Sequence, residues 1–336
     1  MGSAGRSTGA THVPVLAGRI VELLTPALAA PGSTYVDGTL GLGGHAALVL
    51  DACPNAQLVG IDRDPAALAI AGERLARFGD RVRLFHAIYH ELPEVLAEAG
   101  LRSVQAICLD LGLSSLQIDE RERGFAYAVD APLDMRMDPG AGLTAATIVN
   151  SWSAAEIARV LRTYGEERNA RRIADRIVAA RAQEPFTTSA RLVQVIADAL
   201  PAAVRNTGGH PAKRTFQALR IVVNEELESL SGVLPAALDA LASGGRLAVL
   251  AYHSGEDRLV KQAFAAASTD HVPVGVPAVP DAYRAQFSLL TRGAERPDAA
   301  EVAANPRSAS ARLRVISRNQ SSPPPDLPAQ PREDRP

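Results

Sequence analysis

Apolar and β-branched residues gather in short runs at 34–40, 57–62, 82–88 and 104–110, and the stretches between them, 65–77 among them, carry apolar residues at helical spacing. Buried strands alternating with helices predict the front half of a doubly wound parallel α/β sheet. The alternation then stops for about a hundred residues, too long for a connecting loop. Helical signals fill the gap. Ser153 and Glu156 form a capping-box pair ahead of Ile157, Val160, Leu161 and Tyr164; Ile173, Ala174, Ile177 and Val178 repeat the period, as do Leu192, Val195, Ile196 and Ala199. One long helix is expected next, striped by Phe216, Leu219, Val223, Leu227 and Leu230, before strand patterns return at 245–253 and 311–317. The predicted organisation is a sheet domain in two parts, 11–115 and 216–320, around an inserted helical subdomain at 116–215. Residues 1–10 and the Pro-rich 321–336 are expected to be disordered.

The first strand empties into a glycine-dense turn, Gly41-Leu42-Gly43-Gly44-His45, and the second ends on Asp62, about 20 residues on, as nucleotide-cofactor folds require. Gly43 and Gly44 allow a sharp turn and close backbone approach, and a carboxylate at Asp62 can accept hydrogen bonds from a ribose diol. S-adenosylmethionine (SAM) and NAD both present such a ribose, so the turn alone leaves the cofactor open. Ligands in these sheets collect at the carboxyl ends of the strands, which here carry Asp37 to Gly44, Asp62, Tyr89, Asp110 and His253. Each has a plainer reading as well: Asp110 as a turn cap, Tyr89 as half-buried packing, His253 as a histidine satisfied at a strand end.

Composition narrows the class. The 336 residues are 47% hydrophobic, enough for a sizeable core. Cys53 and Cys108 lack C-x-x-C spacing, which argues against a disulfide framework or zinc site and fits a reducing cytoplasm. No apolar run reaches membrane-spanning length. With a net charge of −2, a polyanionic partner must be met by a local cluster of cations. Arg168, Arg171, Arg172 and Arg176 could form one such helix face or a merely solvated stripe.

Longer motifs then accumulate: Asp37 to His45, Gly60 to Pro65, Asp110 to Ser115 with Gln117, Arg123-Gly124-Phe125, Pro132 to Met137, Pro211 to Arg220, Tyr252-His253-Ser254 with Glu256 to Arg258, and Asn305 to Ser308. Together they resemble the small-subunit ribosomal RNA cytosine-N4 methyltransferases, the RsmH or MraW family, from about His12 to Val315. The resemblance implies a class I SAM-dependent methyltransferase, with a Rossmann-like sheet and an inserted helical subdomain, that methylates N4 of a cytosine in the decoding region of 16S rRNA within the small ribosomal subunit. It implies S-adenosyl-L-methionine as cofactor, held by Gly43, Gly44, His45, Asp62, Tyr89, Asp110 and Gln117. It also places Arg123, Arg136, Lys213, Arg214 and Arg220 toward RNA. A cytoplasmic enzyme follows, and a homodimer is compatible with it. The chain departs from the family at Ala46, where serine is common, and in Ala251-Tyr252-His253-Ser254-Gly255, where Ser-Phe-His-Ser-Leu is more usual.

Methyl transfer from a sulfonium chiefly requires positioning in a dry pocket, with an acceptor for an amine hydrogen. The Asn/Asp-Pro-Pro-Tyr motif of many amino-methyltransferases is replaced here by Asp110-Leu111-Gly112-Leu113. His253, Asp110 and Asp134 are the candidate catalytic groups. Two other readings compete: a non-catalytic RNA-binding assembly factor with a SAM fold and, more remotely, an NAD-dependent oxidoreductase, for which no hydride-transfer partner is evident.

Overall fold

The computed structural model describes residues 14–201, 210–270 and 283–320. The segments expected to be disordered, 1–10 and 321–336, lie outside the described residues. The described residues form two compact units: those within 14–62, 66–112 and 231–320 make a sheet unit, and those within 63–65 and 113–230 a helical unit.

The sheet unit contains β1 (Thr34–Asp37), β2 (Gln57–Asp62), β3 (Val82–His86), β4 (Val104–Asp110), β5 (Leu241–Ala251), β6 (Phe287–Leu289) and β7 (Arg312–Arg318), in the order β3-β2-β1-β4-β5-β7-β6. The first five strands are parallel, whereas β7 runs antiparallel to β5 and β6 antiparallel to β7. The parallel front half expected from sequence is present as β1 to β4, β5 continues it, and the last two strands reverse. An antiparallel pair at the edge of a parallel sheet is a common ending, and no periodicity reports strand direction. The central strands are apolar on both faces: β1 is buried throughout and β4 carries buried Ala106, Ile107, Cys108 and Leu109. That is why they read as continuous apolar runs rather than alternations. Helix Gly44–Ala52 packs its Ala46, Val49 and Leu50 into the same core as Ile20, Leu24, Tyr35 and Leu58. The chain winds outward from β1 to β3 and then returns to the other side of β1 as β4. The topological switch point, where such folds bind ligands, therefore lies between the tips of β1 and β4.

In the helical unit, helices Ala154–Gly165, Ala170–Arg181, Ser189–Ala199 and Lys213–Val223 enclose a core that includes Ile157, Leu161, Ile173, Ile177, Leu192, Ile196, Phe216 and Leu219. The Ser153–Glu156 capping box forms as read, with Ser153 Oγ accepting from Glu156 N at 3.3 Å and Glu156 Oε2 from Ser153 N at 2.8 Å. The single long helix expected after residue 213 is two. Lys213–Val223 and Glu226–Ala240 flank Glu225, which takes a left-handed φ of 51°. The cause is tertiary: the Asn224 amide accepts from Met137 N at 2.7 Å and donates to Met135 O at 2.8 Å, holding the chain at the break. Since Phe216, Leu219 and Val223 pack into the helical core, the helical unit runs on to residue 230, beyond the 215 read from sequence. Among the described residues no helix is long and apolar enough to cross a membrane.

Candidate active site

At the tip of β1 the backbone is held from three sides: Gly38 N donates to Cys108 O at 2.9 Å, Leu40 N to Ile61 O at 2.9 Å, and Asp110 N to Thr39 Oγ1 at 2.6 Å. The turn closes through Gly43 N to Leu40 O at 2.8 Å, with Gly43 at φ 73°, a region that favours glycine. At Gly44 an added Cβ would come within 2.6 Å of Pro14 Cγ, so the second glycine answers to packing as much as to any ligand. Helix Gly44–Ala52 starts here without a side-chain cap, leaving the N–H groups of its first turn without a side-chain acceptor.

Asp62 ends β2, and its Oδ2 accepts from Gly41 N at 2.6 Å. One carboxylate oxygen therefore anchors the glycine turn, a task the sequence reading of Asp62 as a ribose acceptor did not foresee. Tyr89 is half-buried and opens a short 3-10 turn, and its Cβ lies 3.6 Å from where a side chain on Gly38 would begin.

Between the tips of β1, β4 and β5 lies a set of ionisable side chains. Asp37 is buried, with Oδ2 accepting from the Tyr35 hydroxyl at 3.1 Å and Oδ1 from Thr39 N at 3.3 Å. Burial raises its carboxyl to about 6, opposed by the positive charge of His45 and the Thr39 N–H. Burial by itself disfavours the His45 imidazolium, but Asp110 and Asp37 outweigh it, and the net shift is upward. His45 Nε2 stands 3.4 Å from Asp110 Oδ2, an ion-pair distance without hydrogen-bond alignment. The other oxygen, Asp110 Oδ1, accepts from the Tyr252 hydroxyl at 2.8 Å. Burial and the Asp110 charge push the Tyr252 hydroxyl well above its usual range, so it stays protonated and donating. Sequence reasoning counted Asp37 among the strand tips and Tyr252 in a family motif that departs from the usual phenylalanine, but gave neither a role of its own; the acid and hydroxyl side-chain types were the available signal.

His253 caps helix Ser254–Ala267. Its Nδ1 accepts from Gly255 N at 3.1 Å and from Glu256 N at 3.4 Å, and Nε2 lies 3.2 Å from Glu256 Oε1. The buried Glu256 also receives Tyr252 N at 2.7 Å, fastening the end of β5. With Nδ1 accepting, a neutral His253 carries its proton on Nε2 and offers a donor, not the acceptor expected from sequence.

The remaining sequence-predicted residues lie in the helical unit. Gln117 joins a capping box with Ser114, and its Nε2 donates to Asp64 Oδ2 at 3.3 Å. Arg123 pairs with the fully buried Asp64 at 3.0 Å and with Glu120 at 2.9 Å. Arg136 spends its guanidinium on both oxygens of Asp134, at 2.8 and 2.7 Å, and on Pro139 O and Ala141 O. Asp134 is thus an ion-pair partner, its carboxyl lowered because Arg136 outweighs the effect of burial. Arg220 is bidentate to Glu226. Only Lys213 and Arg214, of the five cations assigned to RNA, are exposed and make no ion pair with a described residue.

Residues 9–319 match the MraW methylase family. The chain belongs to that family. Relatives include proteins named Ribosomal RNA small subunit methyltransferase H from Nocardioides sp., 58% identical over 93% of this chain and 98% of theirs, and from Streptomyces avermitilis, 57% identical over 91% and 96%. A crystal structure titled as a putative rRNA-methylase from Clostridium thermocellum aligns over 91% of this chain and 99% of its own at 15% identity, with a TM-score of 0.43. The MraW methylase chain has the class I Rossmann-like fold, and its cofactor is SAM. The donor set of its sheet unit fits that group chemically: Asp62 is a carboxylate of the kind a ribose diol needs, the start of helix Gly44–Ala52 has no side-chain cap, and Asp37 and Asp110 are acidic groups of the kind that would compensate a cationic cofactor.

Proposed function

We propose that this chain transfers a methyl group from SAM to the exocyclic N4 of a cytosine in the decoding region of 16S rRNA, in the small ribosomal subunit. The observation that carries the reading is kinship: relatives named as small-subunit rRNA methyltransferases match at 57–58% identity across nearly the whole of both chains. The cytosine-N4 target rests on the motif resemblance and on the chemistry available at the strand tips.

SAM supplies an electrophilic methyl group and leaves as a neutral thioether. The chain's own task is to bind and aim. Asp62, held in place by Gly41 N, would bind the ribose, and the glycine turn with Gly43, Gly44 and His45 would line the methionine side. Asp110 is the acceptor offered to an amine hydrogen. Its carboxylate is fixed by the Tyr252 hydroxyl, and its position at the switch point suits a group that positions rather than abstracts. His253 steadies the β5 tip as a helix cap. Lys213 and Arg214 meet RNA phosphate.

The test is transfer of labelled methyl from SAM to small subunits from a strain lacking this enzyme, followed by digestion to nucleosides. N4-methylcytidine in 16S rRNA is expected. Methyl on another atom refutes the N4 assignment. SAM binding without transfer favours the non-catalytic assembly factor.

A further inference from the structure

Three rings in the helical unit form a graded series from core to surface. Phe216 is 3% exposed; Tyr127 meets it edge-on, with centroids 6.0 Å apart at 82°, and packs on the helical core. His210 is exposed, and its imidazole stacks on Tyr127 at 4.5 Å and 28°. The imidazole is held in plane by a second contact, since its Nδ1 accepts from Ala212 N at 3.3 Å. An exposed ring backed by an anchored ring is a rigid flat surface. Its ordering cost is already met by the fold, which is what a stacking ligand needs.

Cations stand beside it in the chain. Lys213 and Arg214, three and four residues on, are exposed and have no ion-pair partner among the described residues, whereas Arg123, Arg136 and Arg220 are neutralised internally. They open helix Lys213–Val223, whose cap residue Ala212 offers no side-chain acceptor to the first turn. In that turn the buried Thr215 hydroxyl has no hydrogen-bond partner among the described residues. Lys213 N donates to His210 O at 3.0 Å, so the turn is tied to the ring that precedes it. Aromatic surface next to exposed cations is the chemistry that holds single-stranded nucleic acid: bases stack on the rings and phosphates meet the charges.

We propose that an unpaired nucleotide of the RNA substrate stacks on the outward face of His210, with an adjoining phosphate on Lys213, Arg214 and the first turn of helix Lys213–Val223. The proposal rests on the rRNA reading above and adds the residue that receives a base. Stacking is sequence-tolerant, so the platform orders the strand rather than reads it.

The experiment measures binding of the full chain to a fluorescein-labelled single-stranded RNA of about twelve nucleotides, by polarisation, with an abasic position walked along the strand. His210→Ala is expected to weaken binding about five- to fiftyfold, the range for one stacked base. One abasic position should cost the wild type the same factor and cost His210→Ala nothing further. His210→Phe, which keeps a flat ring, should restore affinity at an unchanged melting temperature. Lys213→Ala with Arg214→Ala should lower the log-log salt slope by about one per lost phosphate contact while leaving the abasic penalty in place. Equal affinities for wild type and His210→Ala, or no recovery with His210→Phe, overturn the platform and make the Tyr127–His210 stack a packing contact. If the wild type neither binds this RNA nor methylates small subunits, the rRNA reading itself fails, which is a different result from a wild type that methylates normally and ignores His210.

Discussion

Substituting Asp62 tests two tasks of one carboxylate, the anchoring of Gly41 seen in the structure and the proposed hold on the ribose. Oδ2 receives Gly41 N at 2.6 Å, short and charge-assisted, and such a bond contributes about 1.5–3 kcal/mol. Asp62→Ala removes that anchor and the ribose acceptor together. The free protein should melt at a lower temperature, and SAM affinity should fall by about ten- to a hundredfold or more, since each 1.4 kcal/mol is tenfold. Asp62→Asn keeps a carbonyl oxygen for Gly41 but loses the charge and one acceptor. It should melt close to the wild type and still bind SAM about tenfold more weakly. Titration calorimetry with SAM beside thermal melts of the free variants gives both quantities. A folded Asp62→Ala with wild-type affinity would refute the ribose assignment, and equal melting temperatures for the Ala and Asn variants would refute the anchoring of Gly41.

Tyr252→Phe deletes the hydroxyl on Asp110 and little else; it should leave SAM affinity within about twofold and slow single-turnover methyl transfer by up to about ten- to a hundredfold, the loss of one hydrogen bond to a charged group, and unchanged transfer would show that Asp110 is placed without it. Asp37 has a folded-state pKa of about 6 against an unfolded value of 3.8, so the folded state holds its proton more tightly and stability is lost as pH rises from about 4 through 6. Asp37→Asn, which cannot ionise, should escape this loss and gain up to about 3 kcal/mol over the wild type at pH 7.5, with the difference vanishing below pH 4; denaturant melts across that range check it, and a difference that does not vary with pH removes Asp37 from the account.

Most of the sheet was legible because its strands are buried on both faces, which writes unbroken apolar runs into the sequence. β2 and β4 begin and end where those runs do. β6 was missed because Phe287–Leu289 is three residues long with two exposed. The break at Glu225 was illegible for a different reason. The apolar stripe continues straight across it, and what stops the helix is the grip of Asn224 on Met135 and Met137, 89 and 87 positions away. At the site, residue types were readable but partners were not. Glycines before a helix and an acid at a strand tip imply a nucleotide cofactor from local pattern alone. That Asp62 ties down Gly41, that Tyr252 reaches Asp110 across 142 positions, and that His253 spends Nδ1 on a helix cap are facts of the folded geometry.

The arginines carry the same lesson into function. Lysine is scarce here, so guanidinium serves both structure and recognition, and sequence cannot divide the two. In the helical unit the division follows burial. Arg123 faces an Asp64 that is wholly removed from water, where an unpaired carboxylate would be costly, and Arg220 meets a buried Glu226 in bidentate geometry. Arg136 closes a loop through two carbonyls and Asp134. These cations neutralise the protein's own acids and cannot also neutralise phosphate without giving those acids up. A chain of net charge −2 must therefore bind RNA through the cations left over. Lys213 and Arg214 are such a pair, and the exposed Arg168, Arg172 and Arg176 extend the supply, whereas Arg171 is engaged by Asp175. Phosphate contacts of this kind hold a strand without ordering its bases, and that is the circumstance in which a preformed stacking surface such as His210 on Tyr127 contributes most.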